Sequence, residues 1–378
     1  MAAIIGPSGA GKSTLLDALA ARSAETVKGT VCIDGVPATA AKRSAESAYI
    51  PQEDHFIPSL TCFETLMVAA RLRGLSASSI RQIVHGSLRS MGLQGARDTQ
   101  VGGLLPGGLR VRGISGGEKR RLSIACGTIG APRIIFLDEP TSGLDTSSAL
   151  VVMRCIQGIM LETAEVVEEK ADAQENIGRY PHATIWNQYR VLQGRATMAY
   201  ARNPANVAGR TLMAVALGVL VGFVFFRKPD GVDGLRQSVG ALFFAALLLS
   251  LMPYTYMSMF ISDRLFFRDD PLQPLYLTAP YYAAVSGINA ILSSLNGVIM
   301  MLIVYGLVAL LHTARAVLLT VLVTVLHSLC SVQLLVFVAN LTPNQDLAFV
   351  LGVTYTSLSV LLSGFFVRLA DMHDFRDF

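Results

Sequence analysis

Gly6-Pro7-Ser8-Gly9-Ala10-Gly11-Lys12-Ser13 decides how this chain is read. The octet matches the pattern GxxxxGK[ST] and sits between two recognisable elements. The apolar run at residues 1–5 (MAAII) reads as a buried strand that stops at the loop, and Thr14 to Ala21 reads as a helix that starts behind it. Glycines allow the backbone to curl so that successive N–H groups point at a phosphate. The helix adds the positive end of its dipole. Lys12 is then placed to reach β- and γ-phosphates, and Ser13 to ligate Mg²⁺. The expected nucleotide-binding set is Gly6, Pro7, Ser8, Gly9, Ala10, Gly11, Lys12, Ser13 and Thr14.

Ile134-Ile135-Phe136-Leu137-Asp138-Glu139 supplies a second half to that site. Four apolar residues fit a central parallel strand, buried on both faces. Asp138 emerges at its end to hold Mg²⁺, usually through water, and Glu139 is placed to polarise the attacking water as the catalytic residue. The plainer reading of adjacent acids is a solvated strand end. Between the two halves, Tyr49 and Ile50 precede Pro51, helical stretches run over about 62–73 and 76–98, and glycines punctuate 102–117. Alternating strand and helix signals imply an α/β domain over a parallel sheet.

Composition divides the chain. Hydrophobic residues are 52% of the 378, charged residues 15%, and mean hydropathy is +0.49. Most charge lies in residues 1–200, whereas 210–370 is built of long apolar runs. Five such runs, near 211–226, 237–262, 281–311, 316–340 and 347–367, are expected to cross a membrane. The first is short, and Arg210 and Arg227 would snorkel to the interfaces. The runs are lined by generic Leu, Ala, Val, Phe and Ser, with no intramembrane charge marking a ligand. Arginines before the first run (Arg179, Arg190, Arg195, Arg202, Arg210) mark a cytosolic flank. No basic cluster with interleaved aromatics argues for nucleic acid. Five scattered cysteines with no CxxC pair imply reduced thiols, and six histidines show no metal-ligand spacing. The N-terminus has no basic n-region of a secretory signal.

The fold class is therefore an α/β P-loop nucleotide-binding domain followed by an all-α transmembrane domain of about five spans. The expected boundaries are 1–161 for the nucleotide-binding domain, 162–180 for an acidic linker, 181–208 for an amphipathic connecting helix and 209–378 for the membrane domain.

Further stretches resemble one family of P-loop proteins. Ser115-Gly116-Gly117-Glu118-Lys119-Arg120-Arg121 resembles the signature motif of ATP-binding cassette (ABC) proteins. Pro140-Thr141-Ser142-Gly143-Leu144-Asp145 is similar to their D-loop, and Gln52 in YIPQED to their Q-loop glutamine. The order cassette-then-membrane resembles subfamily G half-transporters of the White type. Trp186-Asn187-Gln188, Arg195 and Arg202-Asn203-Pro204 look like that family's connecting helix, and Asp263-Arg264 with Phe267-Arg268-Asp269 like its cytosolic coupling segment. Ser363-Gly364-Phe365-Phe366 resembles the end of its fifth span, where an apolar pair plugs the exit path; ordinary interfacial packing is the alternative for Phe365 and Phe366.

This resemblance implies ATP and Mg²⁺ as cofactors and a second half-transporter, identical or not, as partner. Ser115, Gly116, Gly117 and Glu118 would meet the γ-phosphate on the partner's P-loop, Asp145 would sit at that interface, and Gln52 would sense Mg²⁺ alongside Ser13 and Asp138 and serve catalysis with Glu139. It further implies a multi-pass protein, in the plasma membrane rather than an internal one, that exports a hydrophobic or lipidic substrate and does not bind nucleic acid.

The chain also departs from the pattern. No strand–His–Gln–Pro motif follows the D-loop, and His182 (YPHATI) lies in the wrong context for a switch histidine. The expected aromatic before the P-loop, and the loop and sixth helix after span five, are not in this sequence. A fragment, a splice form or a gene-model error is the expectation. The alternative function is a truncated subunit that binds ATP without hydrolysing it and pairs with a full-length partner.

Overall fold

The computed structural model describes residues 2–22, 28–53, 55–105, 108–169, 183–226, 231–257, 259–261, 267, 275–310, 313–363 and 365. Two compact units emerge: one of Met1–Leu105, Arg110–Arg195 and Phe266–Tyr281, the other of Pro106–Leu109, Ala196–Leu265 and Tyr282–Phe378.

The first unit is α/β. A hairpin pairs β1 (Cys32–Ile33) with β2 (Val36–Pro37) across Asp34-Gly35. Both turn residues have positive φ, 52° and 76°, as a two-residue turn matched to strand twist requires. α1 (Lys12–Leu19) precedes this hairpin, and α2 (Ala40–Glu46), β3 (Ser47–Ile50), α3 (Cys62–Leu72) and α4 (Ile80–Ser90) follow it. β4 (Gly103–Leu104) pairs with β5 (Arg110–Val111). α5 (Gly116–Thr128), β6 (Ile134–Leu137), α6 (Thr146–Glu169) and α7 (Ile185–Ala201) complete the order, α7 running on into the second unit. β3 and β6 are parallel, with Tyr49 opposite Phe136 and Ile50 opposite Leu137.

Helices α3 and α5 start at capping boxes. Thr61 Oγ1 accepts from Glu64 N at 3.2 Å while Glu64 Oε2 accepts from Thr61 N at 2.9 Å, which satisfies two orphan amide groups reciprocally. The core lies among Leu66, Leu72, Leu88, Met91, Leu93 and Leu122, all fully buried. Each such side chain contributes about 1.5–3 kcal/mol by leaving water. Gly102, at φ 72°, packs on Gly113 so closely that a Cβ would lie 2.4 Å from backbone, so only glycine fits there.

Two expectations need correction here. Residues 2–7 form no strand: they are irregular and exposed, with Ile5 93% accessible. A parallel strand needs a hydrogen-bonded neighbour, and among the described residues β3 and β6 are paired only with each other. For the same reason β6 is half-buried rather than buried on both faces. The helix after the D-loop continues to Glu169, into the acidic stretch at 162–180.

The second unit is helical. α8 (Pro204–Val224), α9 (Val232–Leu251) with its 3-10 extension at Met252–Tyr256, α10 (Thr278–Val308), α11 (Ala314–Leu341) and α12 (Gln345–Leu361) correspond in order to the five apolar runs. Four are long and apolar enough to cross a membrane; α12, at 17 residues, is shorter. Asn203 caps α8 by accepting from Asn206 N at 3.4 Å, and Pro204 occupies its first turn, where a missing N–H costs nothing. α8 therefore begins earlier than the apolar run at 211, and this moves Arg210 inside the helix. Arg210 does not snorkel: it is buried, donating to Asn289 Oδ1 at 3.1 Å and to Met259 Sδ at 2.9 Å. Arg227 lies outside the described residues. Asn289 in turn donates to Tyr200 Oη at 2.8 Å, and Thr211 donates to Asn296 Oδ1 at 3.0 Å. Arg210, Ser293, Asn296 and Ser328 line a cavity with room for about one water molecule. Exposed Leu212, Leu220, Phe223 and Leu318 put apolar surface outward, as a lipid-facing bundle requires.

Candidate nucleotide site

The loop before α1 keeps the shape the octet implies. Gly9 and Gly11 hold φ of 82° and 86°, and a Cβ at either would meet open space, so the backbone turn and not crowding demands glycine. Lys12 Nζ donates to the carbonyls of Gly6 and Pro7, both at 2.9 Å. The ammonium is thereby folded over the loop, and the first N–H groups of α1 have no side-chain cap. A phosphate would supply acceptors to both.

The carboxyl end of β6 lies against this loop. Ser13 Oγ donates to Asp138 Oδ1 at 3.0 Å, and Tyr49 Oη donates to Asp138 Oδ2 at 3.3 Å. Burial first, then the Asp138 carboxylate, holds the Tyr49 phenol above its ordinary range, so it stays a donor. The Arg22 guanidinium lies 4.4 Å from the Tyr49 ring centroid. Gln52 Nε2 donates to Glu139 Oε2 at 2.8 Å and to Ser142 Oγ at 3.3 Å, which leaves the Gln52 amide oxygen as the atom it offers a cation. Hydroxyl, carboxylate and amide oxygen together suit a hard divalent cation that keeps several waters. Among the described residues no cluster of three or more His, Cys, Asp or Glu exists to hold a metal alone, so the cation fits here only with phosphate and water.

Ser115 starts α5 elsewhere on the same unit. Its Oγ donates to Glu118 Oε2 at 2.8 Å, its N donates to the same oxygen at 2.8 Å, and Glu118 N donates back to Ser115 Oγ at 3.3 Å. The Ser115 backbone bond, first among several causes, lowers the Glu118 carboxyl below its usual range. Ser115 and Gly116 are exposed, so an incoming ligand reaches this helix start. Gly117 is buried against Ser148, where a Cβ would come within 3.0 Å. Asp145 begins α6, accepting from Ser147 Oγ and from Ser148 N at 3.0 Å.

The structure thus brings together Lys12, Ser13, Gln52, Asp138 and Glu139, and holds Ser115 to Glu118 and Asp145 as a separate helix-start pair. Phe365 stacks on Phe243 with centroids 4.0 Å apart. Phe366, His182, Asp263, Arg264, Arg268 and Asp269 lie outside the described residues. Sequence reasoning missed Tyr49 and Arg120. Tyr49 had a faint signal, standing three residues before Gln52 on a strand; Arg120 had none, being one of three consecutive basic residues.

Comparison with known proteins identifies the family. The ABC transporter family profile matches residues 1–142, and the ABC-2 type transporter profile matches residues 187–378. ABC transporter G family member 12 of Dictyostelium discoideum is 29% identical over 452 aligned positions, covering 97% of this chain and 71% of the relative. G family member 8 of the same organism is 29% identical, covering 97% and 72%. ABC transporter G family member STR2 of Medicago truncatula is 48% identical over 168 positions, 44% of this chain and 22% of its own length. The 452 aligned positions exceed this chain's 378 residues, so these longer matches carry residues within the aligned region that this chain lacks. With an ATP-binding cassette in front, an ABC-2 type domain behind and G family members among its relatives, the chain belongs to the ABC transporters, the class whose ATPase is coupled to movement across a membrane.

Proposed function

We propose that this chain is one half of a dimeric exporter that moves a lipidic or amphipathic substrate across the plasma membrane. The observation that carries the reading is the presence, on one cassette, of two glycine-lined helix starts open to solvent, Gly6–Ser13 at the start of α1 and Ser115–Gly116 at the start of α5. One alone suffices for a P-loop; the second is an anion site with no phosphate of its own. In a dimer each P-loop, with Thr14, would hold ATP against the partner's Ser115, Gly116, Gly117 and Glu118, with Asp145 beside the seam. The partner is a second copy or a different half-transporter. Mg²⁺ would be held by Ser13, Asp138 and Gln52; when bound, it neutralises phosphate charge and orients the γ-phosphate. Glu139 would accept hydrogen bonding from the attacking water, with Gln52 fixing its carboxylate. Phe365, stacked on Phe243 beyond α12, is the described half of the pair that would gate the exit. The largely apolar outward faces of α8 to α12, whose exposed charges (Asp233, Arg236, Arg315 and Asp346) stand near helix starts, support an apolar cargo.

The test is complementation. Lys12→Ala and Ser115→Phe are each expected to abolish vanadate-sensitive ATPase in lipid vesicles. Mixed dimers of the two keep one intact composite site and are expected to recover about half of the activity, since one of two sites escapes both changes. Mixed dimers as dead as either parent would sink the face-to-face arrangement.

A second reading is a subunit that binds ATP without hydrolysing it. It is supported by the half-buried β6, the irregular, exposed residues 2–5 and the residues that longer relatives carry and this chain lacks. Nucleotide photolabelling without turnover, in the presence of a full-length partner, would favour it.

A further inference from the structure

Glu139 occupies the left-handed backbone region, φ 41°, where a side chain with a Cβ is rarely found and is strained. The two carbonyls that flank it are gripped by one group. Arg120 Nη2 donates to Asp138 O at 2.9 Å, and Arg120 Nε donates to Pro140 O at 3.0 Å. The same guanidinium turns its Nη1 to Pro51 O and, at 3.3 Å, to Gln52 O. Arg120 is only 3% exposed. Four backbone carbonyls from two turns therefore converge on one planar, rigid donor fork, a geometry a lysine ammonium does not reproduce. The side chains those turns carry, Gln52 and Glu139, meet at 2.8 Å. The Ser142 N to Glu139 O bond at 3.0 Å closes the turn beyond but does not touch the flanking carbonyls.

Arg120 belongs to α5, the helix that begins at Ser115. We propose that Arg120 is a positioning residue that holds Glu139 in its left-handed turn, so that the position of the Ser115 helix sets the aim of the hydrolytic carboxylate. A helix moves as a stiff body, and a shift of its first turn is carried to a guanidinium on the next. Binding at Ser115 is then linked to the geometry at Glu139 of the same cassette, that is, to the neighbouring nucleotide site. The proposal rests on Glu139 being the hydrolytic residue.

The experiment uses the full chain in lipid nanodiscs, with Arg120→Lys, Glu139→Gly, the double variant and Glu139→Gln. Arg120→Lys is expected to lower kcat about tenfold or more while ATP affinity stays within about twofold, the split that separates positioning from binding. It is also expected to lower the thermal midpoint, and to lower it less in the Glu139→Gly background, because glycine adopts the left-handed conformation without help. Equal lowering in both backgrounds, an unchanged kcat, or a parallel loss of ATP affinity overturns the proposal. Should Arg120→Lys alone fail to fold, recovery of nucleotide-binding protein by adding Glu139→Gly supports it, and no recovery overturns it. Turnover that survives in Glu139→Gln defeats the assignment of Glu139 instead.

Discussion

Gln52 and Glu139 stand 87 residues apart in the chain, yet the Gln52 amide donates to the Glu139 carboxylate at 2.8 Å. The bond joins the end of β3 to the end of β6 and gives the glutamate one orientation. Glu139→Gln keeps the size and loses the base: ATP turnover is expected to fall by about 10²-fold or more, with nucleotide binding retained. Gln52→Ala frees the carboxylate and is expected to reduce turnover less. Steady-state ATPase and fluorescent-nucleotide titrations on both variants check the order.

Asp145 is expected to stabilise the start of α6 in a pH-dependent way. Hydrogen bonds from Ser147 first, then Ser148, hold its carboxyl well below the ordinary carboxylate range. A depressed folded-state pKa stabilises above the unfolded-state value, and the gain is lost as pH falls through the folded-state one. Asp145→Ala should therefore melt below the parent chain at neutral pH, and the gap should close in acid. Thermal unfolding at stepped pH is the measurement; a gap that widens in acid contradicts the assignment.

Cys62 and Cys32 should differ sharply in reactivity. Burial, with the Glu118 carboxylate adding to it, pushes the Cys62 thiol up to about 11, whereas Cys32 is exposed. Only the thiolate alkylates. Brief treatment with iodoacetamide near neutral pH, read by peptide mass spectrometry, is expected to label Cys32 and spare Cys62 until denaturant is added. Early labelling of Cys62 would show that the start of α3 is not packed as described.

Gly218 of α8 approaches α10 so closely that a Cβ would lie 2.9 Å from the Met300 carbonyl oxygen. Backbone cannot move aside as a side chain can, and small residues are what permit such approach between membrane helices. Gly218→Val is expected to cost about 1–3 kcal/mol through overpacking. The same change at Gly209, whose Cβ would meet nothing within 4 Å, should cost less. Thermal inactivation of the two variants in detergent compares them.

Much of the site was legible because its chemistry is written in short runs. Gly6 to Ser13, Asp138 with Glu139, and Ser115 to Gly117 are each contiguous, and each owes its role to local backbone shape: a turn open to phosphate, a strand end, a capped helix start. The apolar runs were legible for a related reason, since a lipid environment forces every backbone polar group into a helix and every outward side chain to be apolar. Hydropathy alone therefore put α8 to α12 in order, within three residues at both ends of α10 and α11, whereas the start of α8 and the end of α9 lie seven and eleven residues from the expected limits.

What the chain could not announce is which groups meet across it. Residues 1–5 have the composition of a strand, but a strand exists only where a neighbour completes its hydrogen bonds, and that depends on the whole sheet. Arg210 looked like an interfacial arginine until Asn289 and Met259, each dozens of residues away, were found beside it. Arg120 sits in a basic run that any solvated helix might carry, and only the folded chain wraps the carbonyls of Pro51, Gln52, Asp138 and Pro140 around it. Local conformation follows from neighbours in sequence; hydrogen-bond partners and packing are set by long-range closure, so motif identities were determined by the sequence itself and their mutual aim by the tertiary structure.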